Sequence, residues 1–318
     1  MITFGPIPSR RLGRSLGINN IPPKVCSYSC VYCQIGATDS MSITRKEFFS
    51  ANEIYNEVAE KIQQLKIAGE KIDYLTFVPD GEPTLDIHLG KTIERLKPFA
   101  IKIAVITNSS LIWDKKVQSD LMKADWVSLK IDSAYENILR KINRPHGSLD
   151  LKKIITGIKE FASSFKGTLV TETMLVKGIN DNLESLNKTA VLISGINPHK
   201  AYILAPTRPP AEILVKKTSE ENMNMAYQIY SSLIPNVEII AYNEGTDFTF
   251  SSDAEKELLN ILAVHPMRKD AVENFLSRAK SNWDLINHLV FTEQLKEVTY
   301  SGITFIIKKY STQTTKQN

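Results

Sequence analysis

The chain has 318 residues, 42% of them hydrophobic, with 39 Lys plus Arg against 35 Asp plus Glu for a net charge of +4. A chain of that length buries roughly three quarters of its unfolded surface, which excludes disorder as the main state and makes a disulfide framework unnecessary. The charge is too mild to argue for nucleic acid or a membrane, and the opening MITFGPIPSRRLG has no apolar stretch of signal-peptide length. No apolar run approaches the roughly 18 residues of a membrane span, so a cytoplasmic protein is expected.

In chain order, short β-branched runs alternate with stretches of helical period. A strand over Ser15–Ile21 is followed by a helix over about Asn52–Lys66, where Ile54, Val58, Ile62 and Leu65 share one face and Glu53, Glu57, Glu60 and Lys61 the other. The pattern then runs strand Tyr74–Val78, helix near Ile87–Lys97, strand Lys102–Thr107, helix Lys115–Lys123, strand Trp126–Ile131, and helices Tyr135–Ile142 and Leu149–Phe165. Strand Thr168–Val176, helix Leu183–Ile193, strand Lys200–Leu204, helix Glu220–Leu233 and the run Val237–Ala241 complete it. Such alternation predicts parallel strands with helices packed outside them, as a partial barrel or a doubly wound sheet.

From Thr249 the pattern changes. Helices at about Ala254–Val264, Arg268–Ala279 and Asn282–Val290 precede strands Leu295–Tyr300 and Thr304–Tyr310 joined at Ser301-Gly302, which predicts a small winged-helix-like domain. Pro266 is placed at a helix start and Ser281 at an N-cap. The expected division is 1–248, 249–310 and a polar tail 311–318. The small domain is read as separable, acting on substrate or partner recognition and not on the chemistry. From Ser251 onward nine basic residues meet eight acidic ones, and the third helix carries Asp284 but no Lys or Arg, which argues against a DNA reader.

All three cysteines, Cys26, Cys30 and Cys33, fall within eight residues. An odd count cannot pair fully as disulfides, so the cluster points to a metal or redox role. It lies in a loop after the first predicted strand, stiffened by Pro22-Pro23, and ligands of parallel α/β folds gather at that strand edge. A structural zinc site would need a fourth ligand near in sequence, and none of the five histidines is close. Buried inert thiols are the plain alternative. An iron–sulfur cluster is favoured, because three thiolates on four irons leave one iron open to chelate a small molecule.

The C-x3-C-x2-C spacing, with Tyr32 before the last cysteine, resembles the signature of the radical S-adenosylmethionine enzymes. The resemblance covers about residues 1–245 and implies a partial (βα)6 TIM-like barrel with a [4Fe-4S] cluster on Cys26, Cys30 and Cys33. It also implies reductive cleavage of S-adenosylmethionine to a 5′-deoxyadenosyl radical, with electrons from a flavodoxin- or ferredoxin-type donor. Asp80-Gly81-Glu82-Pro83 falls where the family has Gly-Gly-Glu-Pro, near the methionine amino group, with Asp80 in place of a glycine. Asn108 and Ser109 resemble the polar pair near the ribose, with an N-cap as the alternative reading.

Ser128, Lys130 and Asp132 alternate on one strand face, where charge is costly unless the face meets a polar cavity. Lys130 is the candidate for the methionine carboxylate, and Ser128 and Asp132 for ribose or substrate. Of the fifth strand the set Thr171, Thr173 and Leu175 is taken as inward, with Thr173 the candidate. FGPIPSRRLGRSLG, Asn143-Arg144-Pro145-His146 and GIND at 178–181 also resemble a subgroup related to the wybutosine-synthesis enzymes. Arg10, Arg11, Arg14 and Arg208 fit a phosphate or carboxylate of an anionic substrate, with solvated basic turns as the alternative. With every cysteine used, a second cysteine-held cluster is excluded. The rival reading, a cluster-sensing regulator that binds DNA through the winged helix, lacks a basic reading helix.

Overall fold

The computed structural model describes residues 2–241, 245–246, 248–250 and 253–309; the expected polar tail 311–318 and Tyr310 lie outside them. The chain opens with an antiparallel hairpin of Thr3–Ser9 (β1) and Gly13–Ile18 (β2). Val25–Cys26 (β3) pairs in parallel with Ser40–Met41 (β4), bracketing the cysteine loop. There follow Ala51–Ile67 (α1), Tyr74–Phe77 (β5), Leu89–Leu96 (α2), Lys102–Thr107 (β6), Lys115–Leu121 (α3), Trp126–Lys130 (β7), Glu136–Ile142 (α4) and Leu151–Ser164 (α5). Thr168–Met174 (β8), Leu183–Ser194 (α6), Lys200–Leu204 (β9), Glu220–Ser231 (α7) and Val237–Ile240 (β10) finish the first unit.

The strand order β1-β2-β5-β6-β7-β8-β9-β10 is the order of the chain, and every pair after β1–β2 is parallel. A strictly sequential order sends every crossover to the same face, so the helices cover one side and the other side turns inward. The result is a partial barrel and not the doubly wound sheet. Two apolar layers follow from it. Leu75, Phe77, Ile103, Val105, Val127, Leu129 and Leu169 pack outward against Ile54, Val58, Ile62 and Leu65 of α1 and the helices beyond. Ala104, Trp126, Val170, Tyr202, Leu204 and Ile240 fill the interior.

Local signals place the elements. Ser50 and Glu53 form a reciprocal capping box at the start of α1, and Asp114, Asp150, Asn182 and Ser219 cap α3, α5, α6 and α7. The strand β1 was not predicted. Pro6 and Pro8 remove two ladder donors, which an edge strand tolerates, and the register shifts between Phe4 and Ile7. Asn108 is not a helix cap, since α3 begins at Lys115.

The last unit comprises Ala254–Val264 (α8), Met267–Arg268 (β11), Lys269–Arg278 (α9), Asp284–Phe291 (α10), Leu295–Tyr300 (β12) and Ile303–Lys308 (β13), with sheet order β11-β13-β12. Pro266 therefore precedes a short strand and not a helix, and α10 follows Trp283 with no side-chain cap, so Ser281 does not cap it. The unit is not set apart from the barrel. Its core of Leu258, Ile261, Leu262, Val272, Phe275, Leu276, Ile286 and Leu289 includes Phe4 and Ile7 of β1, with Val78 packed against it. Phe4 also lies where a Cβ on Gly17 would stand, 2.1 Å from its ring, so that glycine lets β1 carry the ring. Lys61, expected on the solvated face of α1, is buried and pairs with Glu257 of α8 at 2.8 Å.

This shared core argues against a separable last unit. A chain ending at residue 248 leaves Phe4, Ile7 and Val78 bare and should aggregate or bind a hydrophobic dye. Phe4→Ala in the full chain should cost about 3–5 kcal/mol by denaturant unfolding; a soluble, cooperatively folding 1–248 chain and a neutral Phe4→Ala would contradict the packing.

Candidate functional site

At the carboxyl ends of the strands lies a cavity of about 200 Å³. Cys26, Cys30 and Cys33 all line it, together with Lys24, Tyr28, Tyr32, Asp80, Gly81, Glu82, Asn108 and Lys130. The loop carrying the thiols has almost no regular structure, so its shape depends on its neighbours.

The first neighbour is the loop after β5. Lys24 N donates to Asp80 O at 2.6 Å and Glu82 N to Val25 O at 3.1 Å. A Cβ on Gly81 would fall 1.9 Å from Val25 O, so glycine is required for the two loops to touch. Asp80, in contrast, carries its side chain without disturbing that contact. The Glu82 carboxylate is buried: Oε1 accepts from Thr84 N, Thr84 Oγ1 and Thr107 Oγ1, and Oε2 from Asn108 N at 2.7 Å. Burial pushes its pKa up, and these hydrogen bonds pull against that shift. Asn108 extends the chain of contacts through Nδ2 to Ser27 Oγ at 2.9 Å and Cys26 Sγ at 3.5 Å.

The second neighbour is the end of β7 and the segment after α4. Val31 N donates to Ile142 O, Ser29 N to Asn143 O and His146 N to Ser27 O. Asn143 Nδ2 reaches Asp132 Oδ2 at 2.7 Å, Tyr32 Oη at 3.2 Å and Cys30 Sγ at 3.4 Å, and Tyr32 Oη donates to Asp132. Asn180 of GIND donates to Asp132 O and Met174 O, and Met174 N donates to Asp132 Oδ1. Both of those short motifs are thus parts of the frame around the cysteine loop.

Of the residues proposed from sequence, Tyr32, Asp80, Gly81, Glu82, Asn108 and Lys130 line the cavity with the three thiols, whereas Ser109, Ser128, Asp132 and Thr173 do not. Ser128 lies beneath the floor with Glu172, at 2.7 Å. Thr173 is a correction: its hydroxyl donates to Ile131 O and meets Tyr230 of α7, on the helix side of the sheet. The residue turned inward is Glu172, which pairs with Arg11 and lies 3.9 Å from Lys130 Nζ. Burial alone would raise its pKa, yet Arg11, Lys130 and Ser128 together hold the carboxyl below its usual range. The face assignment failed because both faces of a barrel strand are buried, so alternation carries no in-or-out signal. Gln34 and Glu172 gave no signal of their own in the sequence, and Asn143 was noted only as part of Asn143-Arg144-Pro145-His146.

The thiol chemistry tests what the cavity can hold. Burial pushes all three thiols up, Cys30 to about 12, so unaccompanied thiolates are disfavoured and a cationic cofactor is needed to draw the protons off. Among the described residues no three His, Cys, Asp or Glu side chains converge on a point that could hold one metal ion. Three thiols lining one cavity without converging fit a group of several metal atoms, one sulfur to each, better than a single zinc.

An open barrel that gathers three cysteines at its carboxyl rim, above an interior floored by charge, defines a cluster-bearing α/β enzyme. The profile of the Radical SAM superfamily matches residues 20–190, more than half of the chain, and the chain belongs to that superfamily. It is 46% identical over 309 residues to a UPF0026 protein of Methanocaldococcus jannaschii, covering 96% of each chain. It is 24% identical to a probable GTP 3',8-cyclase of Thermococcus kodakarensis, over 70% of this chain and 75% of that one. A radical SAM methyltransferase from Sphaerobacter thermophilus shares the fold with a TM-score of 0.54 at 15% identity, over 71% of this chain and 66% of that one. The protein is accordingly a radical enzyme that uses a [4Fe-4S] cluster and S-adenosylmethionine and depends on an external electron donor. No helix among the described residues is long and apolar enough to cross a membrane.

Anaerobic reconstitution should give about four irons and four sulfides per chain, and Cys→Ala at 26, 30 or 33 should abolish the cluster. Gly81→Ala should also lower cluster yield, since the added carbon drives the two loops apart; zinc without acid-labile sulfide would contradict the assignment.

Proposed function

We propose that Cys26, Cys30 and Cys33 each hold one iron of the cluster and that the residues around them bind S-adenosylmethionine for hydrogen abstraction from an anionic substrate. The observation that carries this reading is the shared cavity: three thiols, the Lys130 ammonium and the polar edge of the 80–82 loop all open onto it. Bound there, the cluster supplies the electron that cleaves the sulfonium and releases the 5′-deoxyadenosyl radical.

The chain's own residues hold and shield that chemistry. Lys130 is the charge partner for the methionine carboxylate, and its Nζ lies 5.2 Å from the Tyr32 ring centroid, which steadies the ammonium without neutralising it. The 80–82 edge faces the methionine ammonium. Glu82 has three donors on Oε1 and one on Oε2, so its part is to fix that edge and add negative potential. Asn108 serves the ribose side; Ser128 and Asp132 act from behind the cavity wall by holding Glu172 and Tyr32 in place, and the Ser109 amide donates to Thr107 Oγ1 beside them.

The donor is proposed to be of flavodoxin or ferredoxin type, and an oxygen-sensitive cluster on free thiols suits the cytoplasm. The element order from Ala254 to Lys308, three helices with a three-stranded antiparallel sheet, supports a winged-helix-like unit over 249–310. It is not proposed as a DNA reader: α10 has Asp284 and neither Lys nor Arg.

Lys130→Ala should weaken S-adenosylmethionine binding by about 1–3 kcal/mol, the range for a charge-assisted hydrogen bond, while the cluster's absorbance persists. Calorimetric titration of the reconstituted protein checks this, and unchanged affinity would move the carboxylate elsewhere.

A further inference from the structure

Two asparagines reach cysteine sulfurs in the same way, from two different parts of the barrel rim. Asn143, after α4, donates through Nδ2 to Cys30 Sγ at 3.4 Å, across 113 positions of chain, and to Asp132 Oδ2 at 2.7 Å. Asn108, after β6, donates through Nδ2 to Cys26 Sγ at 3.5 Å, across 82 positions, while its backbone N donates to Glu82 Oε2 at 2.7 Å. Both acids are buried. The same line of three groups, buried acid, asparagine and sulfur, therefore occurs twice around one loop.

The partners fix which end of each amide faces the sulfur. At Asn108, Oδ1 accepts from Ser110 N at 2.9 Å, a group that can only donate, which leaves Nδ2 for Ser27 Oγ and Cys26 Sγ. At Asn143 a carboxylate that only accepts faces the amide, so the atom beside Asp132 and Cys30 is the nitrogen. Asn143 Oδ1 is then left buried without a hydrogen-bond partner among the described residues, an arrangement that native interiors mostly avoid. The backbone keeps amide and sulfur on one frame, since Ser29 N donates to Asn143 O and Val31 N to Ile142 O on either side of Cys30. Acid and amide pull on the sulfur in opposite directions. Burial does most to push the Cys30 thiol up and Asp132 adds to it, whereas the hydrogen bond from Asn143 draws it down. The backbone N–H groups of Tyr28 and Ile35 act in the same downward sense on Cys26 and Cys33.

We infer that Asn143 and Asn108 are positioning residues that set the reduction potential of the cluster, each raising it by donating an N–H to a ligating sulfur against the field of the acid that anchors it. The inference rests on the proposed seat of the cluster on Cys26, Cys30 and Cys33. One electron from the external donor adds negative charge over the sulfurs, and no bond to the protein forms or breaks. An N–H dipole aimed at a sulfur stabilises that added charge, and hydrogen bonds to the sulfurs are among the protein's levers on the potential of such a cluster. The acid alone would work against reduction; its part is to hold the amide on the sulfur. The first residue of Asn143-Arg144-Pro145-His146 thereby acts on the cluster's electronics.

The test is a redox titration of the reconstituted full chain without S-adenosylmethionine, followed by the paramagnetic resonance of the reduced cluster. Asn143→Leu removes the donor and should shift the ratio of reduced to oxidised cluster at a fixed potential about tenfold toward oxidised, which is about 59 mV for one electron. Asn143→Gln, which keeps an amide, should recover part of that shift. Asn108→Leu should move the ratio the same way, and the double variant should show the sum, because two different sulfurs are involved. Iron and sulfide per chain are counted for every variant, so that a lost cluster is not read as a shifted one. A second measurement needs no variant: in wild-type chain carrying asparagine labelled with nitrogen-15 at the side-chain amide, the reduced cluster should show hyperfine coupling to the label. An unchanged potential in a fully loaded Asn143→Leu chain, or no coupling to the labelled amide, overturns the inference and leaves the seat of the cluster standing. A wild-type chain that holds zinc without sulfide would strike the cysteine seat itself, and the inference with it.

Discussion

The buried carboxylate of Glu82 holds the site together. A loop that must present three thiols to one cofactor cannot be a helix or a strand, and its backbone groups find few partners within itself. Glu82 accepts four hydrogen bonds from the loop after β5 and the end of β6, while its own amide anchors Val25 at the entrance of the cysteine loop. Removing such a carboxylate would strand four donors in a dry place, which costs far more than an exposed hydrogen bond returns. Asp132 does the equivalent at the exit, where it collects Tyr32, Asn143 and the Met174 amide. Two acids on two strand ends thus convert an irregular loop into a rigid one.

The barrel is open, and an open barrel has edges that must be finished. One edge is β1, whose Pro6 and Pro8 blunt it against pairing with another chain. Its inner residues Phe4 and Ile7 join the core of the last unit, and Lys61 and Glu57 of α1, which the periodicity assigns to solvent, serve that junction. Glu57 Oε1 accepts from Ile2 N and Thr3 N, and Lys61 pairs with Glu257. The helix thus has two working faces: the apolar stripe binds the sheet, and the polar face ties down the chain start and the last unit.

This division explains what the sequence could and could not say. Alternating strands and helices, the amphipathic stripe of α1 and the caps are local patterns, and each unit from Tyr74 to Leu204 was legible with boundaries off by a residue or two. The three cysteines were legible because nothing else in the chain competes with them. Thr173 was misplaced because strand alternation fixes only which residues share a face, and in β8 Thr171, Glu172 and Thr173 are all buried. Arg208 and Asn143 were noted in the sequence, but the connections of Arg208 to Gln34, Gln34 to Val264 and Asn143 to Cys30 were silent for a different reason: each spans more than a hundred positions, and no local pattern records that. The packing of the last unit on the barrel was hidden on the same ground, since Phe4 and Phe275 belong to one core from opposite ends of the chain.

Charge placement inside the barrel then follows a single logic. An interior group keeps its charge only if a partner is built in or a ligand is due. Glu172 is fully spoken for, between Arg11, Ser128 and Lys130. Lys130 is less so, at 3.9 Å from that carboxylate and spread over the Tyr32 ring, and it opens on the first cavity. Arg208 donates to the Gln34 amide oxygen and to the His265 ring and lines a second cavity, of about 110 Å³, beside the first. Glu172 lies behind the walls, while Lys130 and Arg208 stand at different sides, one on each cavity. Between them stands Gln34, bonded to Arg208 and to Val264 and covalently next to Cys33.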